Sequence, residues 1–432
     1  MATARRHRHI RITGGRVIDP ASRLDAHRDV YIVKGRIAAI GAAPEGFEAT
    51  LDIDARGCIV CPGLIDICAR PREPGQEHKA TIASESRAAA SGGITTLCCP
   101  PDTDPIIDTP AVAELIRTRA AAAGKTRIVT LGALTRELDG EHLSEMAALR
   151  RAGCVGVSNG LRPLANSLVQ RRALEYAASY DLTVFLSASD RWLSDNGCAH
   201  EGRVATRLGL PGIPEAAETT AVARDLALIE QTGVRAHFFH LTSGRAVQMV
   251  ARAQFDGLPV TADVAIPYLF LSEVDISDFD SNCHLIPPLR TTEDRQRLRD
   301  ALQRGTLSAL CSDHQPHEPD AKLGPFAATE PGISGLDTLL SLGLQLVEEK
   351  VLDMGELIQR LTAGPATILG LPYGTLAVEA VADICIFNPE TTWLLDSTTM
   401  HSNGHNTPFL GRELKGRVKH TLLGGHPVYT LK

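Results

Sequence analysis

Fifteen histidines and ten cysteines are spread along the 432 residues, and imidazole and thiolate are the ligands from which zinc centres are built. Position decides whether they can act together. Cys58 and Cys61 form a Cys-x-x-Cys, but no second pair completes a zinc ribbon. They stand in an apolar run before Pro62 and read as small buried hydrophobes. No redox role is expected, because no helix N-terminus lies beside them to lower a thiol pKa. Cys68 precedes Arg70 by two residues in Asp66-Ile-Cys-Ala-Arg70, a spacing that puts both side chains on one side of an extended segment. A cation held by Cys68 would then sit beside a guanidinium, which is charged at all relevant pH values. His237 and His240 point to opposite sides of a strand, so His237 reads as packed or solvated. His7, His9 and His27 lie in a terminal segment and carry no site.

The balance of 44 Lys+Arg against 51 Asp+Glu leaves a net charge of −7, which argues against nucleic acid as the main partner. With 44% apolar and 22% charged residues the chain can bury a large core. That excludes a disordered chain, a collagen and a small disulfide scaffold. The basic start Arg5-Arg6-His7-Arg8 leads into no apolar segment, so no secretory signal is expected. Nor does any run approach the roughly 18 apolar residues of a membrane span. The expectation is a cytoplasmic protein with reduced cysteines and no membrane contact.

The elements that must position these residues change rhythm twice. Residues 10–60 alternate apolar and polar positions. His9–Asp19 reads as a strand, a Gly14-Gly15 turn and a second strand, and Val30–Gly41 as a hairpin around Lys34-Gly35. From about residue 60, eight short apolar runs follow: Ile59–Ile67, Ile94–Cys99, Arg127–Ala133, Cys154–Ser158, Thr183–Ala188, Ala236–Leu241, Leu258–Asp263 and Leu307–Ser312. Stretches of helical period separate them, among them Ala80–Ser91, Ala111–Ala123, Ser167–Ala178, Ala216–Gln231, Gly244–Phe255 and Thr292–Arg304. This alternation predicts an α/β chain folded as a (β/α)8, TIM-like barrel. A doubly wound open sheet is the alternative, but no Gly-x-Gly-x-x-Gly follows any of these strands. After about residue 375 the β rhythm returns over Val381–Phe387 and Arg417–Leu423. Residues 1–60 and 376–432 are therefore expected to pair into one small β-sandwich beside a barrel of residues 61–375.

A barrel does its chemistry at the C-terminal ends of its strands. The first run ends in Pro62-Gly-Leu-Ile-Asp-Ile-Cys-Ala-Arg-Pro-Arg-Glu-Pro-Gly75. Here the sequence resembles the dihydroorotases, cyclic amidohydrolases of pyrimidine synthesis, whose corresponding stretch ends Asp-x-His-x-His-x-Arg-Glu-Pro-Gly. The resemblance continues in order through Arg87–Thr96, Ala199–Pro214, His240-Leu-Thr-Ser243, Pro287-Pro-Leu-Arg290, Ser312-Asp-His-Gln-Pro-His317, Asn406–Gly411 and Lys415–Val418. It covers nearly the whole chain and implies the same barrel and composite sandwich.

The departures fall on the metal. Where the family binds zinc with His-x-His, this chain has Cys68 and Arg70. The family's bridging Lys or Asp falls in Val157-Ser158-Asn159-Gly160, and a further His ligand falls at Ser187 in Leu186–Asp190. Two ligand positions still match, His240 and Asp313. A catalytic zinc needs about three protein ligands and an open position. Cys68 could be the third, but Arg70 beside a dication is unfavourable, whereas Arg70 beside Asp313 without a metal is a charge-assisted pair. The expectation is no metal, with Arg70 in its place. A rebuilt zinc site of Cys68, His240 and Asp313 is the alternative.

On the substrate side, Arg72 and His317 match family residues that hold the substrate carboxylate. Asp102 replaces a third, an Asn, and would repel a carboxylate. Asn282 matches a residue near the pyrimidine ring. Residues 318–326 take the place of a loop near the site. The resemblance makes Asp313 a vestigial general base, while His200 and Arg290 read as structural and His314 as part of a turn. The plain reading of the kept polar residues is hydrogen-bonded core architecture.

The resemblance extends to a subgroup without the His-x-His. It implies a non-catalytic homologue that acts as a structural partner of the aspartate carbamoyltransferase catalytic chain in a large cytoplasmic hetero-oligomer. The alternative is an active zinc-dependent cyclic amidohydrolase that converts dihydroorotate to N-carbamoyl-L-aspartate. A third reading is a ligand sensor using Arg72, Asn282 and His317 without turnover.

Overall fold

The computed structural model describes residues 9–431. An eight-stranded parallel sheet curls into a nearly closed barrel, its strands side by side in chain order: Leu64–Asp66, Ile94–Cys99, Arg127–Ala133, Gly156–Ser158, Thr183–Ser187, Ala236–Phe239, Val260–Ala265 and Ala309–Cys311. These strands are almost wholly buried, as parallel strands covered on both faces must be. Side chains stitch the seam between the first and last strands. The Asp66 carboxylate accepts the Ser312 N–H at 3.2 Å and also the Ser312 hydroxyl. Burial nonetheless raises the Asp66 carboxyl pKa to about 6. Just beyond, Ala69 pairs with His314 in an isolated parallel bridge, and the Arg70 N–H donates to the His314 carbonyl at 2.9 Å.

The surrounding helices begin at local signals. Ser243 accepts the Ala246 N–H before Gly244–Phe255, and Thr291 and Asp294 cap each other's backbone before Thr292–Arg304. Helical period named no element between residues 313 and 375, yet Leu339–Glu348, Met354–Leu361 and Ala363–Leu369 are helices there. The first of these buries Leu339, Leu340, Leu342, Leu344 and Leu346. A helix apolar nearly all round carries no amphipathic stripe to read.

The two ends of the chain meet in a six-stranded sheet, in the order His426–Thr430, Glu413–Leu423, Ile384–Leu394, Ile59–Pro62, Arg16–Asp19, Leu24–His27. A four-stranded sheet of Arg36–Ile40, Val30–Val33, His9–Thr13 and Leu51–Asp54 packs on it. Ile10, Ile12, Ile32, Ile53, Ile384 and Ile386 belong to the core between the two, which is separate from that of the barrel. The hairpin at Lys34-Gly35 forms as expected, with φ of 49° and 79°, the paired positive angles of a tight two-residue turn.

Two expectations are corrected here. His9–Thr13 and Arg16–Asp19 are not hairpin partners, because Gly14-Gly15 carries the chain from one sheet to the other. A Cβ on Gly15 would stand 2.7 Å from Val60 Cγ2. The apolar run Ile59–Ile67 is also not one strand. Ile59–Pro62 pairs with Ile384–Phe387 in the sandwich, while Leu64–Asp66 pairs with the second barrel strand. The change of sheet falls at Gly63, where a Cβ would meet Thr95 Cγ2 at 2.3 Å. All ten cysteines are buried free thiols. Among the described residues no helix is long and apolar enough to cross a membrane.

Candidate functional site

The loop after the first barrel strand sends Arg70 across the mouth of the barrel. Its Nη1 donates to Asp313 Oδ1 at 2.8 Å and its Nε to Asp102 Oδ2 at 2.9 Å. Asp313 follows the eighth strand and Asp102 the second, so one guanidinium ties three strand ends together. The pair expected between Arg70 and Asp313 is thus formed. Asp313 Oδ2 accepts from Gln315 Nε2 at 3.2 Å, so both its oxygens are engaged.

His240 stands just past the sixth strand in a left-handed conformation, φ 49°. Its Nδ1 lies 3.1 Å from Asp263 Oδ1 and its Nε2 3.5 Å from Asp313 Oδ1. Burial alone would lower the His240 pKa, but Asp313 and Asp263 outweigh it and raise the pKa well above its ordinary value. The left-handed turn also corrects the expectation for His237. Instead of facing away, its Nε2 lies 3.2 Å from Asp263 Oδ2, and its Nδ1 2.7 Å from Thr261 Oγ1. Strand parity fails because the strand ends at Phe239. Asp263, which receives both rings, was given no role from the sequence. A lone acid in the apolar seventh strand was the available signal.

The residues do not fit a metal as they stand. Cys68 Sγ, His240 and Asp313 offer ligand atoms within 4.8 Å of one another, and so do His240, Asp263 and Cys311. In the first group, Arg70 Nη1 lies 3.9 Å from Cys68 Sγ and 2.8 Å from Asp313 Oδ1, so a positive charge already contacts two of the three. Burial also raises the Cys68 thiol pKa, which disfavours the thiolate a metal requires. In the second group, Asp263 is consumed by the two imidazoles and by the His240 N–H at 2.6 Å.

The former ligand positions elsewhere are built into the scaffold. Ser158 Oγ accepts the Gly160 N–H at 3.0 Å. Asn159 takes the Thr135 hydroxyl at 2.7 Å and donates to the Arg162 carbonyl at 2.9 Å. Ser187 ends the fifth strand, half-buried.

On the other flank, Arg72 and His317 are brought together. Arg72 Nη2 lies 3.0 Å from His317 Nε2, and Lys79 Nζ lies 3.3 Å from His317 Nδ1. Burial, then the charges of Arg72 and Lys79, push the His317 pKa down to about 2. Burial and the Arg70 guanidinium lower the Arg72 pKa to about 10. The space beside Arg70, Arg72 and Asp102 measures about 10 Å³, room for one water at most. Asn282 is not joined to this pair: its N–H bonds Asp280 Oδ1 at 2.9 Å, in a short turn whose Ser281 carbonyl accepts from Lys322. Lys79 was missed from the sequence, because nothing local marks a lysine that reaches a partner 238 residues away. Arg290 is structural, as read: it donates to the Ile213 carbonyl at 2.8 Å and to Thr242 at 3.2 Å, with His200 Nδ1 3.1 Å away. His314 is more than a turn residue, since its Nε2 lies 2.8 Å from the buried Glu85 carboxylate.

Comparison with known proteins places this architecture. The family model described as Dihydro-orotase-like matches residues 57–245. A dihydroorotase-like protein of Pseudomonas aeruginosa is 53% identical over 417 residues, covering 96% of this chain and 98% of that protein. A dihydroorotase of Anaeromyxobacter dehalogenans is 44% identical over 97% of both chains. Among solved structures, the L-hydantoinase (dihydropyrimidinase) from Arthrobacter aurescens superposes with a TM-score of 0.86 at 23% identity, over 98% of this chain and 97% of that one. At that identity the likeness speaks for the fold alone. With more than half of its residues shared along almost its full length with a dihydroorotase-like relative, the chain belongs to the dihydroorotase-like family.

Proposed function

We propose that this chain is a non-catalytic member of its family, serving as a structural subunit that assembles and stabilises aspartate carbamoyltransferase in pyrimidine synthesis. The observation that carries the non-catalytic half is the buried Arg70–Asp313 pair at 2.8 Å. It puts a fixed guanidinium where the reaction needs a metal-bound water and occupies the residue that would serve as general base. The partner is the aspartate carbamoyltransferase catalytic chain, in a large cytoplasmic hetero-oligomer without nucleic acid or membrane. This half rests on the resemblance to the subgroup lacking His-x-His. Co-purification from the native cell tests it. A complex containing that chain, with no dihydroorotase turnover, is the expected result. Absence of a complex together with measurable turnover overturns the reading.

The second reading is an active cyclic amidohydrolase acting on dihydroorotate with zinc. The buried Cys68, His240 and Asp313 within 4.8 Å favour it. It requires Arg70 to leave both carboxylates. Stoichiometric zinc in protein purified without chelator would decide for it.

A further inference from the structure

Three side chains beside Arg70 form a ligand set, two members of which the guanidinium contacts. Cys68, His240 and Asp313 are 1%, 2% and 4% exposed, and their ligand atoms lie within 4.8 Å of one another. Thiolate, imidazole and carboxylate are a competent trio for zinc, leaving its fourth position free. Arg70 Nη1 touches two of the three, Asp313 Oδ1 at 2.8 Å and Cys68 Sγ at 3.9 Å, and His240 Nε2 lies 3.5 Å from the same Asp313 oxygen. Arg70 Nε is anchored separately to Asp102 at 2.9 Å, so the guanidinium cannot swing away without breaking two ion pairs. The Arg70 guanidinium already shares Asp313 Oδ1 with the His240 ring, and a dication added at contact distance in so buried a place would meet repulsion that this one carboxylate does not offset.

We propose that the Arg70 guanidinium and a divalent transition-metal ion are mutually exclusive occupants of the Cys68–His240–Asp313 site, with Arg70 the resident cation. The barrel mouth is then a metal site held shut by a covalently attached charge, and neutralising that charge opens it. For zinc to be held in the opened site, the Cys68 thiol and the His240 ring would each release a proton to solvent, leaving sulfur, imidazole nitrogen and carboxylate oxygen as the ligands. The inference rests on the non-catalytic reading: zinc in the wild type would overturn both, whereas a folded neutral variant without zinc would overturn the inference alone.

The test uses the metal-free full chain and the variants Arg70→Ala, Arg70→Gln and Arg70→Lys. Each is incubated with zinc chloride, desalted and assayed for bound metal. A parallel series uses cobalt(II), whose bond to a thiolate gives a near-ultraviolet charge-transfer band. Wild type and Arg70→Lys are expected to retain no stoichiometric zinc. Arg70→Ala and Arg70→Gln are expected to retain about one zinc per chain and to show the cobalt–thiolate band. Adding His240→Ala to Arg70→Gln should abolish both signals. Should Arg70→Ala fold poorly, its recovery on adding zinc reads the same occupancy, and Arg70→Gln leaves a neutral side chain that still offers an amide donor. Stoichiometric zinc in wild type overturns the proposal, as does a folded Arg70→Gln that holds no more zinc than wild type. Neutral variants that stay unfolded with and without zinc also count against it, since the three ligands would then have failed to accept a metal in place of the guanidinium.

Discussion

Arg70 and Asp313 form an ion pair at 2.8 Å with side chains only 7% and 4% exposed, tying the loop after the first barrel strand to the loop after the eighth. Together with Asp66–Ser312 and Ala69–His314 it belongs to the seam where the barrel closes. The charge that fills the site is therefore also part of what holds the fold.

Removing one partner of such a pair leaves the other charge buried and uncompensated, which costs about 3 kcal/mol or more. Asp313→Asn should lower stability by that order in urea unfolding. Asp102 also pairs with Arg70, but its side chain is 24% exposed, and water compensates part of the loss. Asp102→Asn should cost about 1 kcal/mol. Equal losses for the two variants would contradict the difference in burial on which this ordering rests.

The His317 pKa of about 2 sets a direction for acid stability. An unfolded chain takes up a proton on this ring below about pH 6.5 that the folded chain refuses. The contribution of His317 is therefore fully present above pH 6.5 and is lost as pH falls towards 2. His284, lowered to about 4 chiefly by burial, acts the same way. His240 opposes them: its raised pKa adds stability below pH 6.5 that disappears as pH rises through the folded value. His317→Gln should flatten the acid limb, so that from pH 7 to pH 5 the variant loses about 2 kcal/mol less than wild type. Urea midpoints at the two pH values measure this, and parallel losses would remove His317 from the account.

The barrel was legible because its strands are short apolar runs at helix-sized intervals; Ile94–Cys99 and Arg127–Ala133 have the bounds that their composition suggests. The Arg70–Asp313 pair was legible from charge chemistry, once one strand end was seen to carry a guanidinium and another a carboxylate. What stayed hidden depends on tertiary register or on single backbone angles. No pattern shows that Gly63 divides one apolar run between two sheets. The left-handed turn at His240 overrides the strand parity that put His237 on the far side. Lys79 meets His317 only because two distant loops meet.

The Gly63 crossing has its own consequence. A Cβ there would lie 2.3 Å from both Thr95 Cγ2 and Oγ1 and 2.8 Å from Thr95 Cβ. Thr95 is a stiff, β-branched residue on a buried strand, so the strain cannot be relieved by a rotamer change alone. Gly63→Ala should cost about 1–3 kcal/mol by overpacking. Thr95→Ala in the same chain should restore part of it, because it removes two of the three clashing atoms. Thermal melts of the single and double variants read this coupling, and additive losses would mean that the clash is taken up elsewhere.

Arg72 is the residue a substrate carboxylate would seek, yet each of its three nitrogens already has a neighbour. Nε donates to the Pro316 carbonyl at 3.1 Å, Nη1 to Gln76 Oε1 at 3.4 Å, and Nη2 faces His317 Nε2 at 3.0 Å. The space beside it, about 10 Å³, admits no organic ligand. The cleft outside, lined by Asp102, Asp104, Asp108 and Glu137 with Arg162 as the one cation among its lining residues, repels an anion on approach. A ligand carboxylate would have to displace internal hydrogen bonds worth about 1 kcal/mol or more each while entering that field. Isothermal titration with dihydroorotate or carbamoyl aspartate at millimolar concentration should therefore give no binding heat, with wild type and Arg72→Ala indistinguishable. Heat that is present in wild type and lost in Arg72→Ala would show that the pocket opens to ligand and would revive the sensor reading.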